Sequence, residues 1–124
     1  MTLAYWMVLL AAVLPLAFAA TAKAGDERYD NRRPREWLEA RSGWRLRAHW
    51  AQQNSYEAFP PFAAAVIIAH QLEANQAWVD TLALLFIGFR ILYGALYIAD
   101  RHVLRSLAWT AGFACVVGLF ILSM

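Results

Sequence analysis

The stretch RLRAHWAQQNSYEAFPPF, residues 45–62, decides how the rest of the chain is read. Within it Arg47, Trp50, Asn54, Glu57 and Pro61 fall at offsets of 0, 3, 7, 10 and 14. That spacing puts them on one face of one helix. The face offers a cation, an amide and a carboxylate in a row, with Gln52 and Gln53 alongside. Downstream, no formal charge occurs from Ala58 to Leu72. Polar groups facing lipid are costly, so the stripe must face protein or water. A row of this kind suits a small zwitterionic ligand better than an apolar one. The helix should run over about 44–74, its polar first half projecting from the membrane; from Trp44 to Leu72 it measures roughly 43 Å. Pro60 and Pro61 cannot donate to the carbonyls of Tyr56 and Glu57, so a kink is expected there.

Composition supplies the membrane. Of 124 residues, 61% are hydrophobic and 16% charged, against about 45–50% and about 25% in soluble proteins. The mean hydropathy is +0.41. A soluble domain this small has too little interior to hide so much apolar surface, and the same values exclude intrinsic disorder. One cysteine, Cys115, excludes an internal disulfide framework and a thiolate zinc cluster. The class is all-α: an integral membrane four-helix bundle in a single domain over residues 1–124.

Three further spans complete it, because about 20 apolar residues cross a bilayer. The first lies over about 3–22, and residues 1–22 carry no charge. A cleaved signal peptide is the alternative there, but no basic residue precedes the apolar run. The third covers about 77–99, interrupted by Arg90, and the fourth about 105–123. In the fourth, Ala108/Gly112 and Ala114/Gly118 suit close helix packing. Eight of the eleven basic residues fall between Lys23 and Arg47, most of them in a loop over 23–43. Arg101 and Arg105 lie between spans three and four. By the positive-inside tendency both loops are cytoplasmic and both termini lie on the other side. A cluster beside an apolar span is first a topology signal, so no nucleic-acid partner is expected; membrane lipids are the expected surroundings.

An arginine within a span is a functional group or a bundle-interior one. Arg90 shares a face with Tyr93 and Tyr97, at offsets of three and seven. The structural alternative pairs it with Glu57 or a backbone carbonyl. His49, His70 and His102 are too far apart for a local metal pair, and no metal site is expected. Cys115 reads as packing. No phosphate-binding glycine loop, zinc-hydrolase motif or serine nucleophile elbow is present.

These residues also resemble a known family. Residues 45–62 resemble the signature of the MAPEG superfamily, membrane-associated proteins in eicosanoid and glutathione metabolism: Arg47-Ala48, then Asn54-Ser55-Tyr56-Glu57, then Pro60. A second patch, FRILYGALYIADRHVLRS (residues 89–106), is similar to the family's third-helix tyrosines leading to Arg-Ser at the start of helix four. The likeness is to bacterial-type members, which places the chain in a bacterial inner membrane. It implies a homotrimer of four-helix subunits, with glutathione held as cosubstrate between neighbouring subunits near the cytoplasmic side.

On that likeness Arg47, and Arg33 from the first loop, would grip glutathione carboxylates. Glu57 would take the ammonium, and Asn54 and Gln52 the peptide amides, with Arg90 and Tyr93 completing the binding set. Arg105 would stabilise the thiolate, with Ser106 and Tyr97 as auxiliary donors. The implied activity is a glutathione-dependent transferase or peroxidase acting on lipophilic small molecules. One departure stands out: many catalytic members carry an arginine four residues before the asparagine, where this chain has Trp50. The alternative is a non-catalytic lipid-binding or accessory member of the same family; a small transporter subunit is a distant third, motivated by Arg90 alone.

Overall fold

A computed structural model describes residues 1–25 and 27–124; Asp26, within the expected basic loop, lies outside the described residues. Among these the chain forms five helices and no strand: α1 (Leu3–Lys23), α2 (Pro34–Glu39), α3 (Gly43–Gln71), α4 (Gln76–Ile98) and α5 (His102–Leu122). The four long helices form the bundle. α1 packs mainly on α3, and α4 mainly on α5, with α3 against both α4 and α5. α1, α4 and α5 are each long and apolar enough to cross a membrane. α3 falls outside that group because its N-terminal half carries the polar stripe. It is nevertheless one continuous helix through Pro60 and Pro61.

The turns explain where the helices stop. α3 ends at Gln71, before the expected limit near 74, because Glu73 adopts a left-handed conformation at φ 54°. Its N–H donates to the His70 carbonyl at 3.2 Å, and Ala74 N–H to the Ala69 carbonyl at 2.9 Å. The α4–α5 turn repeats the device. Asp100 sits at φ 60°, its N–H donates to Tyr97 at 3.1 Å, and Arg101 N–H to Leu96 at 2.9 Å. These paired bonds satisfy the last carbonyls and reverse the chain within four residues after α3 and three after α4. α5 therefore begins at His102, not near 105, and Arg105 lies one turn inside it. The short α2 was not expected from sequence; Pro34 opens it, a position where a missing N–H costs nothing.

The main core is shared by all four long helices: Ala4, Met7 and Ala11 of α1, Phe62 and Val66 of α3, Phe86 and Ile87 of α4, and Cys115, Val116 and Leu119 of α5. The Phe62 and Phe86 rings stack at 3.9 Å. Cys115 is buried in this core, a packing residue as its apolar span suggests. At the end of the bundle where α1 begins, Asp80 accepts from Ala4 N–H at 2.8 Å and from Gln76 at 2.7 Å. A carboxylate there meets the positive end of the α1 dipole. The opposite end is closed by Ala22, Leu38 and Ala48, with Trp37 and Ile98 against them.

α1 packs against α4 at Gly94, where a Cβ would overlap the Phe18 ring. Gly94→Ala should therefore destabilise the bundle by roughly 1–3 kcal/mol, the usual cost of overpacking. Thermal unfolding in detergent reads it; a melting temperature equal to wild type would show that α1 shifts freely.

Candidate functional site

The polar stripe of α3 turns toward α4, and Asn54 is its centre. Its Oδ1 accepts from Arg90 Nη2 at 2.8 Å, and its Nδ2 donates to Glu57 Oε2 at 3.2 Å. The amide thus links cation to carboxylate, which is what the Asn-x-x-Glu spacing permits on one helical face. Ser55 Oγ donates to the Ala51 carbonyl at 2.8 Å and accepts from Arg90 Nη2 at 3.3 Å. The guanidinium carbon also lies 4.3 Å from the centre of the Tyr93 ring. Arg90 is only 3% exposed, so this cage of amide, hydroxyl and aromatic face replaces water around a charge inside a span. Glu57 reaches Arg90 through Asn54 rather than by a direct ion pair.

Two open clefts meet along Asn54, Tyr93 and Tyr97. One, of about 360 Å³, is completed by Trp50, Gln53 and Glu57. The other, of about 300 Å³, is completed by Arg105, Ser106, Trp109 and Thr110. Tyr93 and Tyr97 lie four residues apart on α4 and meet edge to face at 5.6 Å. The turn at Asp100 then brings the first turns of α5 back against them. Arg105 sits with its guanidinium carbon 4.3 Å from the Tyr97 ring centre, and the Trp50 ring lies 6.2 Å from Tyr97 on the other side. Ser106 Oγ donates to the His102 carbonyl at 3.0 Å, leaving its oxygen free to accept. The combined surface carries a guanidinium, a carboxylate, two phenols and two amides around an aromatic floor. A smaller cavity of about 140 Å³ adjoins Asn54 and Glu57 on the apolar side.

Arg105, Ser106, Tyr97, Tyr93, Asn54 and Glu57 are therefore brought together, with Arg90 behind them. Three residues named from sequence lie elsewhere. Arg47 donates from Nε and Nη2 to the Ile98 carbonyl at 3.1 and 3.0 Å, capping the C-terminal end of α4. Gln52 points to His49, whose Nδ1 lies 3.4 Å from Gln52 Oε1. Arg33 precedes α2 as its N-cap residue and faces Glu36 across 3.5 Å, exposed. Conversely, Gln53, Trp109 and Thr110 line the clefts without having been singled out as site residues. Offsets from Asn54 and Arg105 carry the missing signal: Gln53 neighbours Asn54, and Trp109 follows Arg105 by four. Among the described residues no group of three His, Cys, Asp or Glu is placed to hold a metal ion.

A model of the MAPEG family matches residues 3–124, nearly the whole chain. Neither the curated proteins nor the solved structures gave a match. The chain belongs to the MAPEG family and is a membrane protein of the superfamily associated with glutathione and eicosanoid metabolism.

Proposed function

We propose that this MAPEG-family protein is a glutathione-dependent membrane enzyme, a transferase or peroxidase acting on lipophilic electrophiles. The observation that carries the reading is Arg105, held over Tyr97 at one end of the two adjoining polar clefts, with the Asn54–Glu57 pair toward the other. Glutathione carries two carboxylates, an ammonium, two amides and a thiol, and the cleft has a group for each kind except the carboxylates. Glu57 suits the ammonium, Asn54 and Gln53 the amides, and Arg105 the sulfur, with Ser106 and Tyr97 beside it. Arg47 is engaged by Ile98 and Arg33 lies in the loop, so in one subunit neither reaches the cleft. The proposal therefore includes a homotrimer in which a neighbour's loop completes the carboxylate grip. It also places α3 as a fourth span and both basic loops on the cytoplasmic side, as the arginine distribution predicts.

The chemistry follows from ionisation. A free thiol has a pKa near 8.5, and lowering it by about two units takes roughly 2.7 kcal/mol. One arginine in a poorly hydrated pocket supplies an interaction of that size. In transfer, the thiolate pair forms the carbon–sulfur bond while the leaving group departs with its own pair. In reduction, the thiolate takes the distal oxygen of a hydroperoxide, releasing the alcohol; a second glutathione converts the sulfenic acid to disulfide and water.

Trp50, standing where many catalytic members have arginine, favours one other reading: a non-catalytic member that binds lipid and assists a partner. A calorimetric titration of glutathione into the detergent-solubilised protein separates the two. Saturable binding below millimolar concentration, followed by conjugation of a generic electrophile, is expected of the enzyme. No heat at millimolar glutathione would leave the accessory role.

A further inference from the structure

The cavity of about 140 Å³ beside Asn54 and Glu57 differs from the two clefts. It lies within one subunit, between α3, α4 and α5, and its far walls are Phe86, Trp109, Phe113 and Val116. The Trp109 and Phe113 rings stack, parallel within 7° at 5.4 Å, so they form one aromatic wall. Arg90 also lines it, and this nearly fully buried guanidinium makes both of its hydrogen bonds from Nη2. Nη1 and Nε therefore keep donors for a guest. With Glu57 on the same lining, the charges balance, so a net anion gains little there. A cavity of about 150 Å³ with apolar walls holds a molecule the size of benzene.

We infer that this cavity binds a compact, neutral, flat electrophile of single-ring or six-carbon size, its one carbonyl oxygen on the free donors of Arg90. The inference rests on the glutathione reading for its reaction and on the cavity alone for its binding. Asn54 and Trp109 line both this cavity and the cleft of Arg105, so a guest here abuts the space assigned to the sulfur. For an unsaturated carbonyl, the thiolate pair forms the bond to the β-carbon and the carbon–carbon π pair shifts to an enolate. Arg90 holds the enolate oxygen, and a proton from water completes the α-carbon. The volume fits a short electrophile whole, whereas a long-chain lipid would enter only in part.

Two variants fill the cavity from opposite walls, Val116→Phe on α5 and Ala58→Leu on α3; neither residue lines the polar clefts. Fluorine NMR of 4-fluoroacetophenone, an unreactive single-ring ketone, reads binding without glutathione. Saturable binding to wild type, weakened at least tenfold in both variants, is expected. No saturable binding to wild type, or equal binding to both variants, overturns the inference. With trans-2-hexenal and glutathione, both variants should lose tenfold or more in kcat/KM for the aldehyde while the glutathione Kd changes less than twofold. Glutathione bound normally and hexenal consumed at the wild-type rate by the filled proteins would also overturn it. Failure of glutathione to bind at all strikes instead at the proposed function, and the NMR result then decides the cavity by itself.

Discussion

Arg90→Ala is expected to cost the folded bundle roughly 3 kcal/mol, the largest stability loss of any single substitution in the polar region. The two hydrogen bonds it makes, to Asn54 and Ser55, do not account for this. Interhelical hydrogen bonds in membranes average only about 0.6 kcal/mol each. Most of the loss comes from what remains. Asn54 Oδ1 would be left without a donor, an orphaned group costing about 1–3 kcal/mol, and the long aliphatic stem would leave a void between α3 and α4. Arg90→Lys should recover less than half, because a shorter side chain ending in an ammonium gives up the planar guanidinium's packing on the Tyr93 ring. The measurement is reversible unfolding in mixed micelles, with Asn54→Ala completing a double-mutant cycle. A coupling energy near 1 kcal/mol is expected. A total loss under 1 kcal/mol would mean that water enters and solvates the vacated site, and the cage around Arg90 would then contribute little to stability.

This cage shows which parts of the site were legible in the chain. Helical offsets alone place Asn54 and Glu57 on one face, and an uncompensated charge within a span demands a partner. Both inferences concern a single helix or a single unavoidable cost. The partner itself depends on how α3 and α4 are rotated against each other, and the structure supplies Asn54 and Ser55 where the sequence suggested Glu57 or a carbonyl. Ser55 read as an ordinary small polar residue. Arg47 shows the same limit from the other side. On its own helix it belongs to the ligand stripe. Once α3 and α4 lie antiparallel, however, its side chain is beside the free carbonyls ending α4, and a cation there satisfies them. Gln52 and Gln53 differ by one residue, a rotation of about 100°. That suffices to send one toward His49 and the other into the cleft. The boundary of α5 was hidden for a different reason: Asp100 takes a left-handed conformation usually given to glycine, so nothing in the composition announces the turn. The family likeness, by contrast, covers residues 3–124 because it reads pattern and position together.

Arg105→Ala is expected to slow glutathione conjugation by at least tenfold at pH 7 while leaving the melting temperature within a degree or two of wild type. Arg105 is half-buried and rests on the Tyr97 ring without a buried partner to orphan, so its loss is mainly chemical. The pH profile decides what kind of loss it is. If the arginine did nothing but lower the thiol pKa from about 8.5 to about 6.5, ionisation at pH 7 would fall from about 75% to about 3%. The more basic thiolate of the variant is intrinsically more nucleophilic, however. A Brønsted slope of about 0.4–0.5 returns a factor of roughly six to ten. The net loss would then be only about threefold at pH 7, and above about pH 8 the variant would overtake the wild type. In the proposed mechanism a guanidinium fixed over Tyr97 does more than this, because it would also hold the sulfur at a set point beside Ser106 and Trp109. The variant should therefore remain slower at every pH from 6.5 to 9.5, with Arg105→Lys intermediate. Profiles that cross would reduce Arg105 to a pKa-setting charge, and an unchanged rate at pH 7 would remove it from the mechanism.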